Sequence, residues 1–329
     1  MSDIDGTLVH YAKDFTHHGV KLVSSDEEAL TAIIEGPNGD QRHCRLLPSA
    51  TMGPACISER TIQLVEIIRD QGVMFCVLTA ARKSTMMRRL DMLPTCDAVV
   101  CEGGSRMMIS GQLETEYSNP FEDICGPMDR EVVGEGERPE PLWQYYRQLE
   151  EHVPGLKLDA KDYYGMFRVS ALGDEATEDA LQGMLQPSKI PQGVSVNSNL
   201  GKTDLFPSLA GKANAVKFLQ KKYGIDQLET ACLFDDDNDL LMAEHCGLHF
   251  LPSLTSFSIK NAVSHNPSWY IPKTVGQGVF ATEECLEAIL ARAVADQRTQ
   301  ETIQELLDEV DGALPKTSVT ENQTGIEER

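Results

Sequence analysis

The sequence is short of positive charge. Its 29 Lys and Arg stand against 51 Asp and Glu, a net charge of −22. That balance repels nucleic acid and anionic membranes, so neither is an expected partner. A site for a phosphate ester would need a local cation, a metal or a Lys, to offset the field. Paired cysteines are also missing: there are nine, an odd number, with no Cys-x-x-Cys. Most lie in apolar runs, such as Cys76 in VMFCVLT and Cys232 in TACLF. They read as buried thiols of a reducing compartment, not as a disulfide frame or a zinc site. No apolar run approaches the ~18 residues that span a bilayer. No basic-then-apolar leader pattern opens the sequence, and the cytosol is the expected compartment.

What is present is an ordinary globular composition, 41% apolar and 24% charged over 329 residues. That length suits about two domains and a core that folds without staples. Short apolar runs alternate with amphipathic ones. GVMFCVLTA (72–80), DAVVCEGG (97–104) and ETACLFDDDND (229–239) read as strands buried on both faces. ISERTIQLVEIIRDQG (57–72) reads as a helix capped by Ser58, and helices near 211–223 and 239–246 keep the rhythm. This predicts an α/β fold with a doubly wound parallel sheet and right-handed crossovers.

Two stretches break the pattern. Residues 26–48 carry Asn38-Gly39 between half-apolar runs, a hairpin signal. Residues 105–206 hold a hairpin candidate at 106–117, an acidic Pro/Gly-rich stretch, two helices and several strands. That is enough for an α+β domain inserted into a core of 1–104 and 207–297. A helix is expected at 298–313 and a disordered tail at 314–329.

The chemistry-bearing residues cluster at strand ends. In Asp3-Ile-Asp5-Gly6-Thr7 two carboxylates share one side of an extended segment, and a cation between them would let both stay ionised. Mg²⁺ suits such oxygen ligands. By average usage the pentad arises by chance in roughly 0.5% of chains this long, and an acidic turn would also account for it. Asp235 to Asp239 follow an apolar strand, where open α/β sheets keep their ligand crevice. Asp235 is the best metal candidate there, with Asn238 and Asp239 orienting neighbours. Thr79 ends another strand, and Lys212 opens a helix whose N–H groups favour anions. His17-His18 reads as an exposed loop, and Lys161, Tyr163, Tyr164 and Arg168 read as packing or rim residues of the insert.

Taken together, SDIDGTL, VLTAAR, GKANAV and LFDDDNDLLMAE resemble, in order, the four motifs of the haloacid-dehalogenase-like (HAD) hydrolases. VVCEGGSRM is similar to the Glu-Asn-Gly-Ala of close relatives. An insert between the Thr and Lys motifs resembles subclass IIB, the Cof-type and sucrose-phosphatase-like sugar-phosphate phosphatases. The resemblance implies a Rossmann-like core, an inserted cap and a Mg²⁺-dependent phosphatase acting on a phosphorylated sugar or similar small phosphate ester. It implies Asp3 as nucleophile, Asp5 as acid and base, and Thr79 and Lys212 as phosphoryl holders. Gly6, Thr7 and Asn238 would complete the phosphate site. The metal would take Asp3, the Asp5 backbone carbonyl and Asp235, with Asp239 beside them.

Two departures accompany it. Phe234 stands where relatives carry Gly before the fourth motif, and the segment from Asp3 to Thr79 is long, with the 26–48 hairpin as a flap. A phosphomutase or a turnover-deficient phosphometabolite-binding protein are the alternatives. The family also places about five apolar residues ahead of the first Asp, where this sequence has Met1 and Ser2. Either the native chain starts further upstream, or Asp3 is held only by its metal and the Gly6-Thr7 turn.

Overall fold

A computed structural model describes residues 1–47, 53–129, 134–199, 202–295 and 300–313. Its core is a parallel sheet. Ala231–Leu233 pairs with Leu248–Phe250, and Cys76–Leu78 pairs with Ala98–Cys101. Between these two pairs runs the start of the chain. Ser2 bridges both Val77 and Leu233 in parallel. The Ser2 and Leu78 amides exchange bonds with the Cys76 and Ser2 carbonyls, and Asp3 N–H donates to the Leu233 carbonyl at 2.9 Å. The terminal amine donates to the Ala231 carbonyl at 2.8 Å. Residues 1–3 therefore join the two halves of the sheet, and backbone pairing on both sides holds Asp3. At the opposite end of the same seam, Met1, Phe75, Ala231 and Leu286 help line a largely apolar cavity of about 540 Å³.

Successive residues of these strands face opposite ways. Cys76, Leu78 and Val100 pack with Ala215, Val216 and Leu219 of the helix Lys212–Tyr223. Val77, Val99 and Cys101 pack with Leu64, Val65 and Ile68 of the helix Glu59–Asp70, and with Leu286 and Leu290 of the helix Val279–Ala295. The sheet is thus covered on both faces, which is why its strands read as continuous apolar runs. Ser58 accepts the Thr61 N–H, the cap its position implies. All nine cysteines are free thiols, eight of them buried.

The hairpin expected at 106–117 inside the insert takes another place. Arg106–Ile109 and Gln112–Leu113 extend the core sheet, antiparallel to Ala98–Cys101. A separate antiparallel sheet follows in the order Lys157–Asp159, Phe167–Ser170, Lys202–Pro207, Val194–Asn199. The helix Pro141–His152 lays Trp143 and Tyr146 on Phe167, with ring centres 6.1 and 5.2 Å away. The acidic stretch is only partly within the described residues, and the expected tail at 314–329 lies outside them. The C-terminal helix runs Gln300–Ala313.

A third sheet lies between Asp5 and the first long helix. It contains His10–Tyr11, Ala55–Ser58, Gln41–Leu47, Thr31–Glu35 and Lys21–Asp26, all antiparallel. The Asn38-Gly39 hairpin is its middle portion. Lys21–Asp26 is exposed along its whole length, so no apolar period marked it in the sequence. Phe15, Val20 and Ile34 pack this sheet onto Val279 and Phe280. Among the described residues no helix is long and apolar enough to cross a membrane.

One buried acid ties this sheet to the helices. Glu283 accepts from Ser58 at 2.7 Å and from Arg42 at 2.9 Å, and lies 3.6 Å from Arg60. Burial pushes its carboxyl upward, and the two arginines and Ser58 pull it back. Glu283→Ala should cost about 2–3 kcal/mol, because it removes the buried acceptor of Ser58 and Arg42, while Arg60 keeps Glu287 and Asp311. Urea unfolding checks this, and a loss below about 1 kcal/mol would contradict the assignment.

Candidate active site

The first motif is a tight turn at the end of its strand. The Ile4 carbonyl accepts the N–H groups of Leu8 and Val9 at 2.9 and 2.8 Å, and Ile4 is fully buried. Gly6 has φ +93°, and a Cβ there would lie 2.2 Å from Asp235 Oδ2. Only glycine permits both the conformation and that approach. Thr7 Oγ1 donates to Asp235 Oδ1 at 2.7 Å, and Thr282 Oγ1 donates to the Thr7 carbonyl at 2.5 Å. The first and fourth motifs are therefore clamped together, 228 residues apart in sequence.

Lys212 is the hub. Its Nζ donates to Asp3 Oδ1 at 2.5 Å and to Asp239 Oδ1 at 2.6 Å, with all three side chains buried. The carboxylates of Asp3, Asp235 and Asp239 lie within 4.8 Å of one another. Burial pushes Asp3 up to about 7, against the pull of Lys212 and with a further push from Asp239. Asp235 is raised well above the usual carboxylate range, first by burial and then by the Asp3 charge. Asp239 is also raised by burial, with Lys212 opposing. Burial works against the Lys212 charge, but Asp239 and Asp3 outweigh it and hold the ammonium. Two of the three carboxylates share the ammonium, and Asp239 Oδ2 and Asn238 Oδ1 are buried with no hydrogen-bond partner among the described residues. This donor set fits a hard divalent cation.

The other expected residues divide. Thr79 is buried, its Oγ1 accepts the Ala81 N–H at 3.1 Å, and it lines the same crevice as Asp3, Asp5, Asp235 and Asn238. Lys161, Tyr163 and Arg168 line that crevice from the antiparallel sheet's side. Tyr164 does not line it and lies under Arg106, 4.0 Å from the guanidinium. His17-His18 belongs to no cluster of three metal-capable side chains among the described residues. The Asp5 carboxylate also lies outside the acidic trio. The crevice measures about 700 Å³.

Several residues at the site had no role assigned from the sequence. Tyr11 Oη and Arg89 Nη1 both donate to Asp5 Oδ1, at 2.5 and 2.8 Å. Arg82 pairs with Asp159 at 2.5 Å and lies over the Tyr163 ring. Glu102 has φ +55° and is fully buried, and its Oε2 accepts the N–H groups of Tyr164 and Gly165 at 2.8 and 3.0 Å. It links the end of a core strand to the loop that carries Tyr163. Beside it Gly104, with φ +100°, brings its backbone against Gly211, where a Cβ would lie 2.2 Å from the Gly211 carbonyl carbon. That contact seats the start of the Lys212 helix.

Residues 58–293 match the model of the sucrose-6F-phosphate phosphohydrolase family, well over half of the 329-residue chain. The chain belongs to that family. It is a phosphoric monoester hydrolase of the HAD superfamily, as the motifs implied. The matched span holds Thr79, Lys212, Asp235, Asn238 and Asp239, and Asp3 is joined to it through Lys212. The solved structures to which the chain is similar are distant. Sucrose-phosphatase from Synechocystis, solved with sucrose and phosphate, aligns at 15% identity and TM-score 0.47 over 71% of this chain and 91% of that one. Thermoplasma acidophilum 0175 aligns at 14% and 0.49 over 72% and 90%. Aspergillus fumigatus trehalose-6-phosphate phosphatase aligns at 13% and 0.44 over 89% and 91%. A search of curated proteins found no match.

The charge balance yields a stability test. Lys212→Met leaves three buried carboxylates without their ammonium, an expected loss of about 3–5 kcal/mol in metal-free buffer at pH 7.5. The carboxyls have folded pKa values raised above the unfolded one, so their protonated forms favour folding at low pH and that support is lost as pH rises toward about 7. Lys212 itself, raised from its ordinary value, stays charged throughout. The deficit should therefore shrink at pH 5.5, and urea melts showing an equal deficit at both pH values would contradict the balance.

Proposed function

We propose that this chain hydrolyses the phosphate monoester of a phosphorylated sugar, in a Mg²⁺-dependent reaction through an aspartyl-phosphate on Asp3. The observation that carries the reading is Lys212 bridging Asp3 and Asp239 beside buried Asp235. That arrangement keeps one Asp3 oxygen against an ammonium and presents the group to a crevice of sugar-phosphate size. The family's named activity supports a sugar phosphate as the substrate class.

The Asp3 carboxylate attacks phosphorus, and the bond from phosphorus to the sugar oxygen breaks. The departing oxygen takes its electron pair and a proton from Asp5. Asp5 then accepts a proton from water as that water attacks phosphorus and returns the Asp3 carboxylate. Thr79, Lys212, Asn238 and the Gly6-Thr7 turn hold the phosphoryl oxygens throughout. Asp3, Asp235 and the Asp5 carbonyl would hold Mg²⁺, with Asp239 beside them; when bound, the ion neutralises phosphoryl charge. The insert between Thr79 and Lys212, beyond the Arg106–Ile109 and Gln112–Leu113 hairpin that joins the core sheet, acts as a cap over the core. Arg82, Lys161, Tyr163 and Arg168 meet the sugar and, with the cap seated, exclude bulk water.

A panel of sugar phosphates, assayed for released phosphate with Mg²⁺ and with EDTA, tests the reading. At least one should be hydrolysed, EDTA should abolish turnover, and Asp3→Asn should lower kcat by about a thousandfold or more. Full activity of Asp3→Asn would overturn the nucleophile assignment, and turnover in EDTA would overturn the metal.

A further inference from the structure

We propose that Tyr11 and Arg89 are positioning residues that orient Asp5 for proton transfer to the leaving group. The proposal rests on the phosphatase reading above and assigns roles to two residues outside its four motifs. Both donors converge on one atom, Asp5 Oδ1, at 2.5 Å from Tyr11 Oη and 2.8 Å from Arg89 Nη1. The two donors also contact each other, with Arg89 Nη2 3.4 Å from Tyr11 Oη. Tyr11 and Arg89 are each about 4% exposed, whereas the Asp5 side chain keeps 24% of its surface open. All three line the crevice that also contains Asp3 and Thr79.

The geometry divides the labour within one carboxyl group. Oδ1 is occupied by two donors held in the protein interior, and no bond to Oδ2 is made by the described residues. Oδ2 is therefore the oxygen that exchanges the proton with the departing sugar oxygen and then with water. A carboxylate with one oxygen tethered has fewer orientations to sample before the transfer, which is how such anchoring raises rate. The two anchors come from different places. Tyr11 lies on the first strand of the antiparallel flap sheet, and Arg89 ends the helix Lys83–Arg89 that follows Thr79. Docking of the flap against that helix is thus needed to set the acid. This gives the long segment between Asp3 and Thr79 a role in the chemistry.

Positioning of a general acid makes a prediction that a merely structural role does not. The nitrophenolate of p-nitrophenyl phosphate departs without a proton, while the alkoxide of benzyl phosphate needs one. The value of kcat/KM reports the steps through departure of the leaving group. Tyr11→Phe and Arg89→Met should each lower kcat/KM on benzyl phosphate at least tenfold more than on p-nitrophenyl phosphate. Arg89→Lys, which keeps a donor, should recover part of the benzyl phosphate loss. Tyr11→Phe removes a single oxygen and leaves the ring packed, so it carries the test if Arg89→Met does not fold. Equal losses on the two esters, or no loss on either, would overturn the positioning role while the phosphatase reading stands. Wild-type protein inactive on both would overturn this proposal together with the reading it rests on.

Discussion

The site depends on one buried charge. Lys212 Nζ sits between Asp3 and Asp239, and without it three carboxylates would share a dry pocket with no cation. In a chain with a net charge of −22, that ammonium offsets the local negative field. The demands of this contact reach outward. Gly104 lets the loop after the strand Ala98–Cys101 touch the start of the Lys212 helix. Gly6 lets the first motif close on Asp235, and Thr282 fixes the Thr7 carbonyl from the helix Val279–Ala295. Three separate segments are needed to hold one triad of charges.

Backbone pairing places Asp3. Ser2 pairs on both sides, so the backbone is fixed at its C-terminal end, the only end that matters for the side chain. Pairing to Cys76 and Leu78 on one side and to Leu233 on the other aligns Asp3 with the ends of its neighbours. Ligand crevices of open α/β sheets form at such ends.

Much of this was legible in the sequence, and the reason is physical. Strands buried on both faces must be continuous apolar runs, so Cys76–Leu78, Ala98–Cys101 and Ala231–Leu233 announced themselves. Polar residues at their ends, Thr79 and Asp235, then marked one rim. Tyr11 and Arg89 were not legible, because nothing local distinguishes a tyrosine or arginine that packs from one that anchors a carboxylate, and the Glu102 segment was legible only as a resemblance, without its role. Glu102 serves through a left-handed backbone and contacts 62 residues away. The exposed strand Lys21–Asp26 hides for the opposite reason: it buries nothing, so it leaves no period. The hairpin expected at 106–117 joins the core sheet and not the insert, because turn signals do not say which sheet a hairpin joins.

The most direct test of the central claim is to look for phosphate on Asp3 itself. Protein mixed with a turned-over sugar phosphate and Mg²⁺, then quenched in acid and digested, can be read by mass spectrometry for a phosphorylated N-terminal peptide. The account expects an acid-stable, base-labile phosphate on Asp3 that forms and decays at the rate of turnover. Turnover with no phosphate on Asp3, or with phosphate on a different side chain, would contradict it.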